Sequence, residues 1–185
     1  MKIGIVSGFW NPIGLHHINY INDAKSRCDI LVCIVNSDEQ VKIKGSCPFQ
    51  NENTRLSIIG NLKSVDMAIL AIDKDGGVSD SIRKIYENYL NGYTIMDRIF
   101  GKYRELSFQF LKGGGDRGNS NMLPSKEVQT CEELGIEIVY GVGGTTKDGA
   151  SSDLIKNAVD WHNKNFCRTC GERHNGKGCS CWNDE

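Results

Sequence analysis

The chain has no excess of charge, no long apolar run and no leader-like start, and each absence closes off a class of protein. Twenty-two basic residues against 23 acidic ones leave a net charge of −1, which argues against wholesale binding to nucleic acid or to a membrane surface. No hydrophobic stretch approaches the roughly 20 residues needed to cross a bilayer. The opening residues, MKIGIV, run straight into an apolar segment and lack the pattern of a secretory signal. An intracellular, cytoplasmic protein is expected. With 39% hydrophobic and 24% charged residues in 185, the composition is that of one globular domain with a small appendage.

Cysteine is not scarce: there are eight. Cys28, Cys33, Cys47 and Cys131 are scattered singly in apolar or loop contexts, as reduced thiols are. The other four lie between Cys167 and Cys181, and such clustering in an intracellular chain points to metal rather than to disulfides.

The stretch from Ile3 to Asn22, IGIVSGFWNPIGLHHINYIN, carries the strongest chemical signal. An apolar run reads as a buried strand, a turn containing Gly8, Pro12 and Gly14 follows, and a helix enters near His16 and His17. Where a glycine-bearing turn meets a helix N-terminus, unpaired N–H groups and the positive end of the helix dipole favour an anion. Two histidines there are placed to touch phosphate.

Further strand-like runs occur at 30–35, 67–72, 108–111 and 136–140, alternating with helical patterns. Lys42 and Lys44 alternate with Val41 and Ile43 after a strand end, so both can project the same way, or both can belong to a solvated loop. Asn51 reads as the N-cap of a helix carrying Arg55. A helix is expected over 79–93, with a local, partly helical insertion at about 91–107. The fourth strand runs into Lys112 to Arg117, where glycines including Gly114 allow close approach of a ligand and Asp116 could take a hydroxyl pair. A second glycine-rich turn, 141–149, leads to Ser151 and Ser152 at the start of a last helix. Regular alternation predicts an α/β fold: a doubly wound, mostly parallel sheet of five strands covered on both faces. Ligands bind such sheets beyond the strand C-termini, where every polar cluster named here would gather.

These residues resemble the HxGH nucleotidyltransferases, in particular the branch with glycerol-3-phosphate cytidylyltransferase and the heptose-phosphate adenylyltransferases. The likeness runs from about Lys2 to Asn157 and rests on VSGFWNPIGLHH at 6–17, NDAK at 22–25, VNSDEQVKIKG at 35–45, the Arg55 helix, VD at 65–66, KGGGDR at 112–117, CEELGIEIVYGVGG at 131–144 and SSDLI at 151–155. It implies a Rossmann-like domain over 1–163 in which a nucleoside triphosphate binds with Mg²⁺. An acceptor phosphate attacks the α-phosphorus and pyrophosphate leaves. It also implies roles. His17, His16 and Lys44 would be catalytic. Gly8, Phe9, Trp10, Lys42, Gly114, Asp116, Ser151 and Ser152 would hold the nucleotide, and Arg55 and Arg117 would meet the acceptor. Members are often homodimers.

One departure falls in the defining motif. GlyLeuHisHis stands at 14–17, with Gly14 where the first histidine belongs and His16 where the glycine belongs, and Asn11 replaces a usual aspartate. Loss of one charge-assisted hydrogen bond of about 1.5–3 kcal/mol lowers a rate roughly tenfold to a hundredfold. Either catalysis is impaired and the chain is a nucleotide-binding homologue, or His16 swings toward the phosphates and restores the contact.

The tail, 164–185, is a candidate zinc site. Cys167, Cys170, Cys179 and Cys181, with His174 as an alternative fourth ligand, offer the soft donors of a tetrahedral centre. A closed structural Zn²⁺ site is expected. Arg168, Arg173, Lys177 and Trp182 leave a nucleic-acid-contacting knuckle as the alternative.

Overall fold

A computed structural model describes residues 1–100, 106–113, 126–144, 151–166, 171 and 173; the side chains of 93–100 and 152 fall outside that description. In chain order the elements are β1 (Lys2–Gly8), α1 (Leu15–Ser26), β2 (Ile30–Val35), α2 (Asp38–Ile43), α3 (Glu52–Gly60), β3 (Met67–Leu70), α4 (Ser79–Phe100), β4 (Ser107–Gly113), α5 (Lys126–Leu134), β5 (Glu137–Val142) and α6 (Ser151–Asn165). The strands form one sheet in the order β3-β2-β1-β4-β5, each neighbouring pair parallel. The expected α/β architecture is therefore observed.

Both faces of the sheet are covered, which is why its strands read as continuous apolar runs. Ile3, Ile5, Val32, Ile34, Phe108 and Phe110 pack on one side with Ile82 and Ile85 of α4 and Cys131 of α5. Val6, Leu31, Cys33, Val35 and Leu111 pack on the other with Ile21 and Ala24 of α1 and Ile59 of α3. Cys33 and Cys131 are buried free thiols, whereas Cys47 is exposed. Among the described residues no helix is long and apolar enough to cross a membrane.

Side-chain caps fix where the helices begin. Asn51 accepts from the Thr54 N–H at 2.9 Å and opens α3 as expected. The buried Asp73 carboxylate accepts from the N–H groups of Asp80 and Ser81 at 2.7 and 3.1 Å and from the Ser81 hydroxyl, opening α4. Ser37 accepts from Gln40 N–H at 3.2 Å while Gln40 Oε1 accepts from Ser37 N–H at 3.0 Å. This reciprocal box starts α2, so the segment around Lys42 is helical, not the alternating chain expected. The segment 91–100, expected to open a partly helical insertion, continues α4 without a break.

The chain lays β2 and β3 on one side of β1, then crosses back to lay β4 and β5 on the other. The reversal leaves a crevice beyond the C-terminal ends of β1 and β4, the place where open parallel sheets bind ligands.

Candidate active site

A cavity of about 600 Å³ occupies this crevice, within the range of small-molecule sites. The ends of β1 (Ser7, Gly8), β4 (Lys112, Gly113) and β5 (Val142) contribute to its lining, with Asn36 after β2, Gly76 after β3 and Ser151 of α6. Elements far apart in sequence therefore converge on one volume.

The wall nearest α1 is built on Trp10. Its φ of 50° is left-handed, a strained conformation for a residue with a side chain. Burial holds it there: the indole is 2% exposed, donates from Nε1 to the Ile34 carbonyl at 3.2 Å, and stacks on Tyr20. A Cβ at Gly8 would lie 2.7 Å from the indole carbons, so only glycine fits beneath it. The indole also meets His17 edge-on, with ring centroids 5.2 Å apart.

Gly14 is the N-cap of α1 and has no side-chain oxygen with which to cap. His17 reaches back instead, its Nδ1 accepting from the Gly14 N–H at 3.0 Å. That bond selects the tautomer with its proton on Nε2. Burial, and then the charge of neighbouring His16, pull the His17 pKa down from 6.5 to about 4. At neutral pH His17 therefore brings a hydrogen-bond donor to the cavity, not a cation. His16 lies against it, ring centroids 3.8 Å apart.

Positive charge enters from two other directions. Lys44, at the end of α2, lines the cavity with its ammonium 4.2 Å from the centroid of Phe9. Lys112 lines it from the end of β4, paired with Glu127 of α5 at 3.2 Å, both side chains largely enclosed. Opposite Lys112 the register between β4 and β5 slips, from Leu111↔Val139 to Gly113↔Val142, the kind of irregularity that re-aims a side chain beside a site. Beyond β5, Gly143 has a φ of +80°, and a Cβ there would lie 2.7 Å from the Tyr20 Cα. Its N–H donates to Asp23 at 2.7 Å, binding the second glycine turn to α1.

A family model for cytidylyltransferase-like domains matches residues 5–102, just over half of the chain. This protein belongs to the cytidylyltransferase-like family. It is similar to an FAD synthase of Thermoplasma acidophilum, 37% identical over 71 residues, which cover 38% of this chain and 50% of that protein. It is also similar to the bifunctional protein HldE of Caulobacter vibrioides, 34% identical over 77 residues, 40% of this chain and 16% of that one. The chain thus spans about half the length of the FAD synthase it matches and a smaller share of HldE. Among solved structures, the lipopolysaccharide core biosynthesis protein of Thermoplasma volcanium superposes with a TM-score of 0.55 at 25% identity, covering 76% of this chain and 95% of that one. The resemblance drawn from the sequence is borne out at the level of the cytidylyltransferase-like family.

Within this cytidylyltransferase-like fold the expected site residues divide. Gly8, Phe9, Trp10, His16, His17, Lys44 and Ser151 all line the cavity. The Ser151 hydroxyl donates to the Pro12 carbonyl at 2.7 Å, tying the start of α6 to the β1–α1 turn. Lys42 does not line the cavity. On a helix, residues two apart point about 200° apart, and Lys42 turns outward to pair with Glu39 at 2.7 Å, its side chain 60% exposed. Arg55, expected to meet the acceptor, is fully buried and every guanidinium nitrogen is engaged. It donates to the carbonyls of Gln50, Phe9 and Asn36 at 3.0, 2.7 and 2.7 Å and to Asp38 at 2.6 Å. It is a clamp behind the site, its guanidinium buried away from an acceptor. Asn11, standing where an aspartate is usual, accepts from the Phe49 N–H at 2.6 Å and donates to the Cys47 carbonyl at 2.8 Å.

Gly114, Asp116, Arg117, Cys167, Cys170, His174, Cys179 and Cys181 lie outside the described residues, as does the side chain of Ser152. Among the described residues no three His, Cys, Asp or Glu side chains converge as a metal site. Sequence reasoning missed Lys112, Glu127 and Tyr20. Lys112 had a signal, as the last residue before three glycines at a strand end. Glu127 and Tyr20 look like ordinary surface and core positions of their helices.

Proposed function

We propose that the protein is a nucleotidyltransferase that moves CMP or AMP from CTP or ATP to a small phosphorylated acceptor, a sugar or polyol phosphate, and releases pyrophosphate. The observation that carries this reading is the meeting of the β1–α1 turn, His16, His17, Lys44 and Lys112 around one cavity at the switch point of the sheet. An acceptor phosphate oxygen forms a bond to the α-phosphorus as the bond to the bridging oxygen of the β-phosphate breaks, and pyrophosphate leaves with the electron pair. Such a reaction asks the protein for position and for compensation of negative charge. His17 supplies a neutral Nε2–H donor to the phosphates, and Lys44 charge for the leaving pyrophosphate. Lys112 stands ready to exchange Glu127 for a phosphate oxygen.

Glu127 is the one carboxylate on the described cavity lining, and it already faces Lys112. That donor set suits Mg²⁺ arriving on the triphosphate rather than held in a protein cage, where it would neutralise phosphate charge. Zn²⁺ belongs, in this reading, to the tail ligands Cys167, Cys170, Cys179 and Cys181, supported by their spacing, and metal analysis is expected to find one equivalent per chain. A homodimer is the expected assembly.

A pyrophosphate-release assay over CTP and ATP, Mg²⁺ and a panel of sugar, polyol and (because one relative is an FAD synthase) flavin phosphates tests the proposal. Turnover with at least one pair is expected, and silence across the panel overturns it. Gly14 favours a second reading, a nucleotide-binding homologue without catalysis, for which calorimetry gives binding and the assay gives none.

A further inference from the structure

In the family this chain resembles, an imidazole stands at position 14. Here one would crowd His16: a Cβ built on Gly14 would lie a tight 3.2 Å from both Cε1 and Nδ1 of His16, which would have to give way by a few tenths of an ångström, and 3.4 Å from Leu154 Cδ1. The ring of His16 thus covers the space where a side chain at 14 would begin. The backbone explains how a residue two places later arrives there. His16 is the second residue of α1, and helical side chains lean back toward the N-terminus, over the turn that precedes them. His17, by contrast, is fixed by the Gly14 N–H on Nδ1 and by the edge of Trp10. The two rings stand 3.8 Å apart, tilted by 42°, and both line the cavity.

We propose that the imidazole pair has been re-sited: His16, folded back over Gly14, takes the place of the absent first histidine, so two adjacent residues meet the polyphosphate together. Glycine at 14 is then the condition for this arrangement rather than a mark of decay. The inference rests on the nucleotidyltransferase reading and adds that this chain reaches the same chemistry through a different backbone position. A phosphate oxygen at the mouth of α1 receives a hydrogen bond from each ring, at the positive end of the helix dipole.

Four variants test it: His16→Ala, His16→Asn, Gly14→His, and Gly14→His combined with His16→Gly. Each is assayed for turnover and, separately, for affinity toward CTP, ATP and pyrophosphate by calorimetry. His16→Ala is expected to lose about tenfold to a hundredfold in turnover or in affinity. His16→Asn keeps a donor in the same region and recovers part of the loss, which a spacer would not do. Gly14→His alone gains nothing, because its side chain meets the His16 ring; the double variant returns to within a few-fold of the unaltered protein. An active protein in which His16→Ala matches the unaltered chain in both readouts overturns this inference and leaves the proposed function standing. A protein that binds neither nucleotide nor pyrophosphate overturns both.

Discussion

His17 shows how far a single side chain can be set by its surroundings. Its pKa of about 4 in the folded protein, against 6.5 for the free side chain, means that the unfolded chain binds the extra proton first. Stability is therefore fully present above about pH 6.5 and declines as the pH falls toward 4, by at most about 3 kcal/mol for this group. An NMR titration is expected to give a midpoint near 4 with the proton on Nε2, and His17→Gln should flatten the fall in melting temperature over that window. A midpoint near 6.5 would remove the case for a neutral donor. Gly8 makes a second prediction at this scale. Its substitution by alanine puts a methyl 2.7 Å from an indole that is 2% exposed, and such overpacking costs about 1–3 kcal/mol. Because Trp10 also holds His17, denaturant unfolding and nucleotide affinity should weaken together in Gly8→Ala. Neither contact was legible in the sequence: a glycine in a turn and a histidine at a helix start are visible there, but the ring that occupies the space between them is not.

Among the elements, α2 and α3 carry the clearest lesson. Ser37 and Gln40 form a capping box, yet the alternation of Val41, Lys42, Ile43 and Lys44 imitates a strand over so short a run. Six residues are too few for the helical period to show itself. With the helix in place Lys44 stays by the cavity and Lys42 leaves it, so the pair behaves as one site residue and one surface residue. Arg55 failed for a different reason. Its helix and cap were legible, but burial of the whole guanidinium follows from the meeting of three loops that no local pattern encodes. Arg55 ties the turn after β1 to the end of β2, to the start of α2 and to the segment before α3. Arg55→Lys keeps the charge and loses the fork geometry, leaving carbonyls and a carboxylate short of donors. A loss of about 2–4 kcal/mol in denaturant unfolding is expected, with any rise in KM shared between nucleotide and acceptor. A rise confined to the acceptor, in a protein of unchanged stability, would restore Arg55 to the acceptor's side.

For the molecule as a whole, alternation of strand and helix sufficed for a parallel sheet and for the edge on which loops would meet, since both follow from the handedness of βαβ crossovers. What alternation does not contain is strand order, and here order makes the site. With β1 at the centre, the first half of the chain brings Lys44 and the turn after β1, and the second half brings Lys112 and the glycine turn after β5. Beyond the β1–β4 pairing, bonds from the second half of the chain reach the first around the cavity: the Ser151 hydroxyl on the Pro12 carbonyl, and the Gly143 N–H on Asp23. A polyphosphate laid across the cavity adds bonds to both halves at once, and nothing comparable exists in the unfolded chain. At a hundred times its dissociation constant such a ligand stabilises the fold by about 2.7 kcal/mol, worth roughly 5–10 °C in melting temperature for a domain of this size. CTP or ATP with Mg²⁺ is expected to produce that shift, and His17→Ala or Lys44→Ala to reduce it while leaving the unliganded melting temperature nearly unchanged for Lys44, whose ammonium makes its one described contact with the face of Phe9. A shift of equal size in both variants would place the nucleotide away from these walls and separate the cavity from the chemistry.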